Sequence, residues 1–246
     1  MTSRRRFLRS LAAAGVAGST GLAGCGYRPG GGDIRWRSDE FRSPFRQSRL
    51  ALADGLLVAV ADSTMDYDLD AEEWHRGGQV VAYATDDGSE AWTARLDGEL
   101  TCHAVGDGGA AVGFDRAVVR YGADGELWRA SLPEPPVALA VADGRIYALT
   151  ETGALVACGE GEVLWRVDLE PTLGSDEGGF GPTVAADASG VYVDSLGGLS
   201  ALDPADGAVR WRVGNRSLSA GPFLAPSGVL VVAESDLVCH YREDTF

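Results

Sequence analysis

Lysine is absent: all 21 basic residues among the 246 are arginine, set against 36 Asp and Glu. The net charge of −15 repels a phosphate backbone, which excludes nucleic acid as a partner. Histidine is almost as scarce. His75, His103 and His240 share no metal-ligand spacing, and none stands in a Gly-x-Ser-x-Gly or His-Glu-x-x-His frame. Cysteine is limited to Cys25, Cys102, Cys158 and Cys239, with no Cys-x-x-Cys pair. No run after residue 25 approaches the roughly 18 uninterrupted apolar residues of a membrane-spanning helix.

What is present suffices for a core. Apolar residues make up 45% of the chain, and 34 Gly with 10 Pro fall far short of a collagen-like or disordered bias, so one large domain or two small ones should fold. The arginines are unevenly placed: Arg4, Arg5, Arg6 and Arg9 precede the first acidic residue, Asp33. Without those four, 17 Arg face 36 acids and the rest of the chain carries −19.

Residues 1–24 read as an export signal, because their basic start is followed by a stretch, Leu11–Gly24, too short and Gly-rich to span as a helix. Ser3-Arg4-Arg5-Arg6-Phe7-Leu8 resembles the twin-arginine motif through Arg4, Arg5, Phe7 and Leu8. Leu22-Ala23-Gly24-Cys25 resembles a lipobox, in which Cys25 would be lipidated after cleavage. Residues 25–32 form a Gly-rich tether, and residues 33–246 are the folded body. The expected location is the extracytoplasmic face of the membrane, held there by lipid. An acidic body without lysine resembles the proteins of salt-loving archaea, whose surface charges are screened at molar salt.

The body repeats itself. A strand, a turn and a tryptophan recur in Val80–Tyr83 to Trp92, Val118–Tyr121 to Trp128, Leu155–Cys158 to Trp165 and Leu199–Leu202 to Trp211. Asp87-Gly88, Asp124-Gly125, Gly159-Glu160-Gly161 and Asp206-Gly207 supply hairpin turns between strand and tryptophan. The tryptophan intervals of 36, 37 and 46 residues approach the period of a four-stranded propeller blade. Second strands are expected at Leu56–Val60, Ala110–Phe114, Arg145–Leu149, Val191–Asp194 and Val229–Ala233.

Gly190-Val191-Tyr192-Val193-Asp194, then Leu199-Ser200-Ala201-Leu202-Asp203 and Asp206-Gly207 before Trp211, resemble the PQQ-like β-propeller repeat. The resemblance covers nearly all of the body. It implies an all-β, five-bladed propeller of four-stranded antiparallel blades, with Trp36, Trp92, Trp128, Trp165 and Trp211 packing between neighbouring blades. Asp33–Ser38 is expected to be the outer strand that the last blade lacks, pairing Ile34–Arg37 with Val238–Tyr241 and closing the ring.

The same repeat serves quinoprotein dehydrogenases, outer-membrane assembly lipoproteins of the BamB type and kinase sensor domains, so it does not settle activity. Quinone enzymes of this kind use a larger ring with a metal and often a disulfide between adjacent cysteines. Here the repeats are too few and the cysteines too far apart, so no cofactor is expected. Cys102, Cys158 and Cys239 read as small buried hydrophobes, with one disulfide left open. Asp66, Asp68 and Asp70 imitate the start of a calcium loop, yet Ala71 stands where that loop needs Gly and Gly77 where it needs Glu. A solvated acidic loop is the preferred reading.

Ser63–Gln79 and Glu170–Gly181 are expected to be long loops for a protein or envelope partner, with Trp74 and Phe180 as anchors. No catalytic set emerges, and a non-enzymatic scaffold is the leading expectation. The alternative is a small-ligand binder or quinoprotein-type enzyme that uses Arg49, His103 and Thr183 in a central channel.

Overall fold

The computed structural model describes residues 35–38, 48–53, 55–68, 73–98, 100–169, 183–195, 198–214, 218–226, 228–233 and 236–240. The chain divides at Ser38/Asp39. In the N-terminal unit, Arg35–Ser38 carries no strand, and Trp36 is half-buried. The expected outer strand is therefore not formed over its described part.

The second unit consists of antiparallel sheets built as successive meanders. The first sheet contains β1 (Ser48–Ala53), β2 (Leu56–Asp68), β3 (Glu73–Ala84) and β4 (Glu90–Asp97). The second runs β5 (Cys102–Gly106), β6 (Gly109–Phe114), β7 (Ala117–Gly122), β8 (Gly125–Ser131). The third is β9 (Pro136–Ala142), β10 (Arg145–Thr150), β11 (Ala154–Gly159), β12 (Glu162–Asp168). The fourth is β13 (Val184–Asp187), β14 (Gly190–Ser195), β15 (Gly198–Leu202), β16 (Val209–Val213). Among the described residues the fifth has three strands, β17 (Leu218–Ala225), β18 (Gly228–Ala233) and β19 (Asp236–His240).

Middle strands are buried on both faces. β6, β7, β10, β11 and β15 are almost wholly buried, which explains why they read as unbroken apolar runs, whereas β8, β12 and β16 are largely exposed. Each sheet packs on the next through its own cluster. Val60 and Val80 meet Val112 and Tyr121; Ala111 and Val118 meet Ile146 and Val156; Leu149 and Leu155 meet Val191 and Leu202; Tyr192 and Leu199 meet Val229 and Val231.

One local device recurs in the first four sheets. Trp92 lies opposite Ala82, Trp128 opposite Arg120, Trp165 opposite Ala157 and Trp211 opposite Ala201, each beside a bulge. The extra residue before each tryptophan is Ala91, Leu127, Leu164 or Arg210. A bulge adds local twist and re-aims the side chains beside it.

Candidate interaction surface and inner strands

In a meander the first-to-second and third-to-fourth turns share one end, while the second-to-third turns and the connections between sheets share the other. Hydrogen bonds tie that second end together: Thr101 N donates to Gly113 O at 2.9 Å, Leu132 N to Arg116 O at 2.7 Å and Leu169 N to Gly153 O at 2.9 Å. Thr150 Oγ1 donates to Glu134 Oε2 at 3.0 Å, and Thr152 donates to the same carboxylate. These hydroxyls, Thr152 first, hold the Glu134 carboxyl below its usual range. The β2–β3 connection and the Leu169–Thr183 connection therefore leave from the same end.

The segment expected to be a loop over Ser63–Gln79 is instead mostly strand: β2 continues to Asp68 and β3 begins at Glu73. The register runs Met65 opposite Arg76, Asp66 opposite His75, Tyr67 opposite Trp74 and Asp68 opposite Glu73. Trp74 thus sits on a strand, not on a loop. Asp66 and Asp68 follow strand alternation and not the winding of a calcium loop, and Asp70 lies outside the described residues. A register shift between Ala61 and Thr64 marks where the ribbon leaves the body of the sheet. Phe180 also lies outside the described residues.

The first strands β5, β9, β13 and β17 lie side by side. Their residues and those of β1 include exposed apolar side chains, Leu50 at 62%, Leu52 at 76% and Phe223 at 56%. Of the candidate channel residues, Thr183 Oγ1 donates to Gly221 O, so its hydroxyl links the fourth sheet to the fifth. His103 is half-buried on β5, opposite Val112. Arg49 lies on β1 opposite Val60. The three sit on different first strands or just before one, and no described contact brings them together.

The tryptophans occupy sheet junctions. Trp92 stacks on Tyr121 of the second sheet, with ring centroids 5.5 Å apart. Trp128 packs in the second–third cluster and Trp211 in the fourth–fifth. Trp165 Nε1 donates to Pro204 O of the fourth sheet at 3.1 Å, and Arg145 Nη1 donates to the same carbonyl at 2.6 Å.

Two groups escaped sequence reasoning. Arg120 is only 3% exposed, and its guanidinium donates to Ala110 O and Gly106 O, both at 3.1 Å, and to Tyr121 O and Asp107 O, both at 2.6 Å. Burial pushes this group down, and the Asp107 carboxylate partly offsets that. Its signal was positional, since the equivalent residues are Ala82, Ala157 and Ala201. Asp194, on β14, is pushed up to about 6 by burial alone. Its backbone N–H donates to Thr183 O at 3.0 Å. Cys158 is a free buried thiol pushed up to about 12 by burial, so it is inert as a nucleophile near neutral pH.

The family described as outer membrane protein assembly factor BamB matches residues 26–121 and 107–244. Among solved structures, BamB from Moraxella catarrhalis is similar with a TM-score of 0.54 and 19% identity, over 78% of this chain and 62% of that one. The chain thus spans less than two thirds of that protein's length. The computationally designed Ika8 protein is similar with a TM-score of 0.52 and 13% identity, over 78% and 70% of the two chains. At these identities the likenesses concern the fold. No curated protein matches the chain.

Proposed function

We propose a function from one premise: the chain belongs to the family described as outer membrane protein assembly factor BamB. On that premise it is a non-enzymatic scaffold for a protein or another cell-surface component, built as a five-bladed propeller on the extracytoplasmic face of the membrane. Arg4, Arg5, Phe7 and Leu8 form its twin-arginine signal, and Cys25 carries its lipid. The chain beyond its basic start, at −19, is that of a haloarchaeal protein, folded where salt screens its carboxylates. The ring closes when Ile34–Arg37 adds beside β19 as the missing fourth strand.

The observation that supports a scaffold is how the chemistry is distributed. First strands expose Leu50, Leu52 and Phe223, and Thr183 spends its hydroxyl on Gly221, while the two insertions leave from one end. Stacked sheets that hold variable connections at one end suit a partner better than a small substrate.

The test uses the mature lipoprotein at molar salt. Immobilised, it should retain a discrete membrane protein, and neither pyrroloquinoline quinone nor Ca²⁺ should shift its melting temperature. A shift with either ligand would overturn the non-enzymatic reading, and no retained protein would overturn the scaffold. In the same cells Cys25→Ser should abolish lipid labelling and release the body; unchanged membrane attachment would contradict the anchor. Melts taken from molar to about 0.1 M salt, where the screening length reaches about 10 Å, should fall in midpoint if the protein is halophilic.

A further inference from the structure

Directly opposed residues of a sheet share a face, so each sheet presents rows of side chains to the next. In the third sheet one such row is Ala138, Leu149, Leu155 and Val167, and it packs with Val191 and Leu202 of the fourth. The matching row of the fourth sheet is Thr183, Asp194, Leu199 and Val213. Asp194 thus takes the place of Leu149, and of Val60 and Gly113 in the first two sheets. It shares the face of Tyr192, two residues earlier, and Tyr192 and Leu199 pack with Val229 and Val231 of the fifth sheet. Thr183 Oγ1 crosses the same junction to Gly221 O. A carboxyl therefore enters the fourth–fifth junction where the third–fourth junction has leucine.

Among the described residues nothing compensates its charge. The Thr183 hydroxyl proton is spent on Gly221, the Asp194 N–H goes to Thr183 O, and no described group donates to the carboxylate. β15, β17 and β18 carry no titratable residue. On β13, Asp187 stands at the opposite end, where it accepts from Ser189 N and Gly190 N. On β16, Arg210 is tied to Asp203, and Arg212 alternates away from Trp211 and Val213. On β19, Asp236 is exposed at the same end, while Cys239 and His240 stand opposite Leu230 and Val229 towards the other. Arg216 and Glu234 lie outside the described residues. Burial alone pushes the Asp194 carboxyl up to about 6, against an ordinary value of about 3.9.

We propose that the junction between the fourth and fifth sheets is a pH-sensitive seam, which Asp194 closes when protonated and loosens when ionised. Neutral, the group is tolerated between apolar side chains; charged, it draws water in. The folded chain holds this proton more tightly than the unfolded one. Stability that is fully present below about pH 4 is therefore lost as pH rises through about 6, and is flat above that. Thr183 also ends the Leu169–Thr183 connection, so the seam sets how firmly that insertion is anchored. This inference goes beyond the scaffold reading and stands without it.

The full mature protein at molar salt is compared with Asp194→Asn, which keeps the shape without the charge. Hydrogen exchange, corrected for the intrinsic rate at each pH, should show β17 and β18 protection falling by about tenfold from pH 5 to pH 7.5 in wild type relative to Asp194→Asn. Protection of β6 and β7 should not change. Asp194→Leu, which restores the residue of the third sheet, should be equally insensitive to pH and should melt above wild type at pH 7.5. The same pH response in wild type and Asp194→Asn, or a wild-type loss spread evenly over all sheets, would overturn the seam. So would an Asp194→Leu midpoint below wild type at pH 7.5, because the carboxylate would then be holding the junction. Carbon NMR of the Asp194 carboxyl in the unmutated protein decides independently of any variant: a titration midpoint near 6 is expected, and one near 4 would overturn the proposal.

Discussion

Arg120→Ala should destabilise the body by about 3 kcal/mol and lower its melting temperature by about 10 °C, although it installs the residue found at the three equivalent positions. At Ala82, Ala157 and Ala201 a methyl group completes the wall opposite the tryptophan. At Arg120 the guanidinium instead threads to four carbonyls, two of them in the β5–β6 turn. A Cβ on Gly109 would strike Tyr121 O and Arg120 Nη1, so this cradle is shaped around the arginine. Removing the side chain leaves a cavity and buried acceptors that have lost a charged donor. It also loosens Asp107, whose Oδ2 accepts from Gly144 N of the third sheet at 3.0 Å. Arg120→Lys keeps the charge but lacks the planar fork and should recover less than half of the loss. Thermal melts of the three proteins at one salt decide it. An Arg120→Ala midpoint equal to wild type would show that the repeat position, and not the carbonyl cradle, governs this site.

Trp165→Ala should have a loss of similar size, about 3 kcal/mol, and should separate the third sheet from the fourth. The ring packs against Gly207, where an added Cβ would come within 2.7 Å of Trp165 Cε3, and Gly207 adopts a φ of +76° that other residues resist. Its Nε1 and the Arg145 guanidinium converge on Pro204 O. Trp165→Phe keeps most of the apolar contact and loses the hydrogen bond, so it should retain well over half of the stability lost in the alanine variant. Hydrogen exchange adds a local reading: in Trp165→Ala, β15 and β16 amides should open faster than those of β6 and β7. Uniform acceleration across all sheets would contradict a docking role at this junction.

Much of the strand plan was legible because the middle strands are sandwiched and so read as apolar runs. Val118–Tyr121 and Leu155–Cys158 lie inside β7 and β11, and the glycine turns fall between third and fourth strands. The ribbon was not legible. Asp66-Tyr67-Asp68 has poor strand propensity, and only its pairing with Glu73-Trp74-His75 keeps it extended. Arg120 was hidden for the opposite reason: an arginine in a strand reads as a solvated face, and the turn carbonyls that bind it come from residues 10 to 14 positions earlier. Nothing in the sequence makes the polar atoms of Arg49, His103 and Thr183 converge, and in the structure the Thr183 hydroxyl is bonded to a neighbouring backbone.

Tryptophans that dock successive sheets and insertions gathered at one end make a rigid platform only if the fifth sheet is completed. Hydrogen exchange of the mature protein at molar salt, resolved at Leu237, Val238 and Cys239, measures this directly. Amides of β19 that do not point at β18 should exchange slowly in the intact chain. In a chain whose tether is joined directly to Asp39 they should exchange faster by about a hundredfold or more, the range for ladder amides against frayed ones. Equal, fast exchange of these amides in both chains would contradict closure by the N-terminal strand, and with it the five-bladed ring.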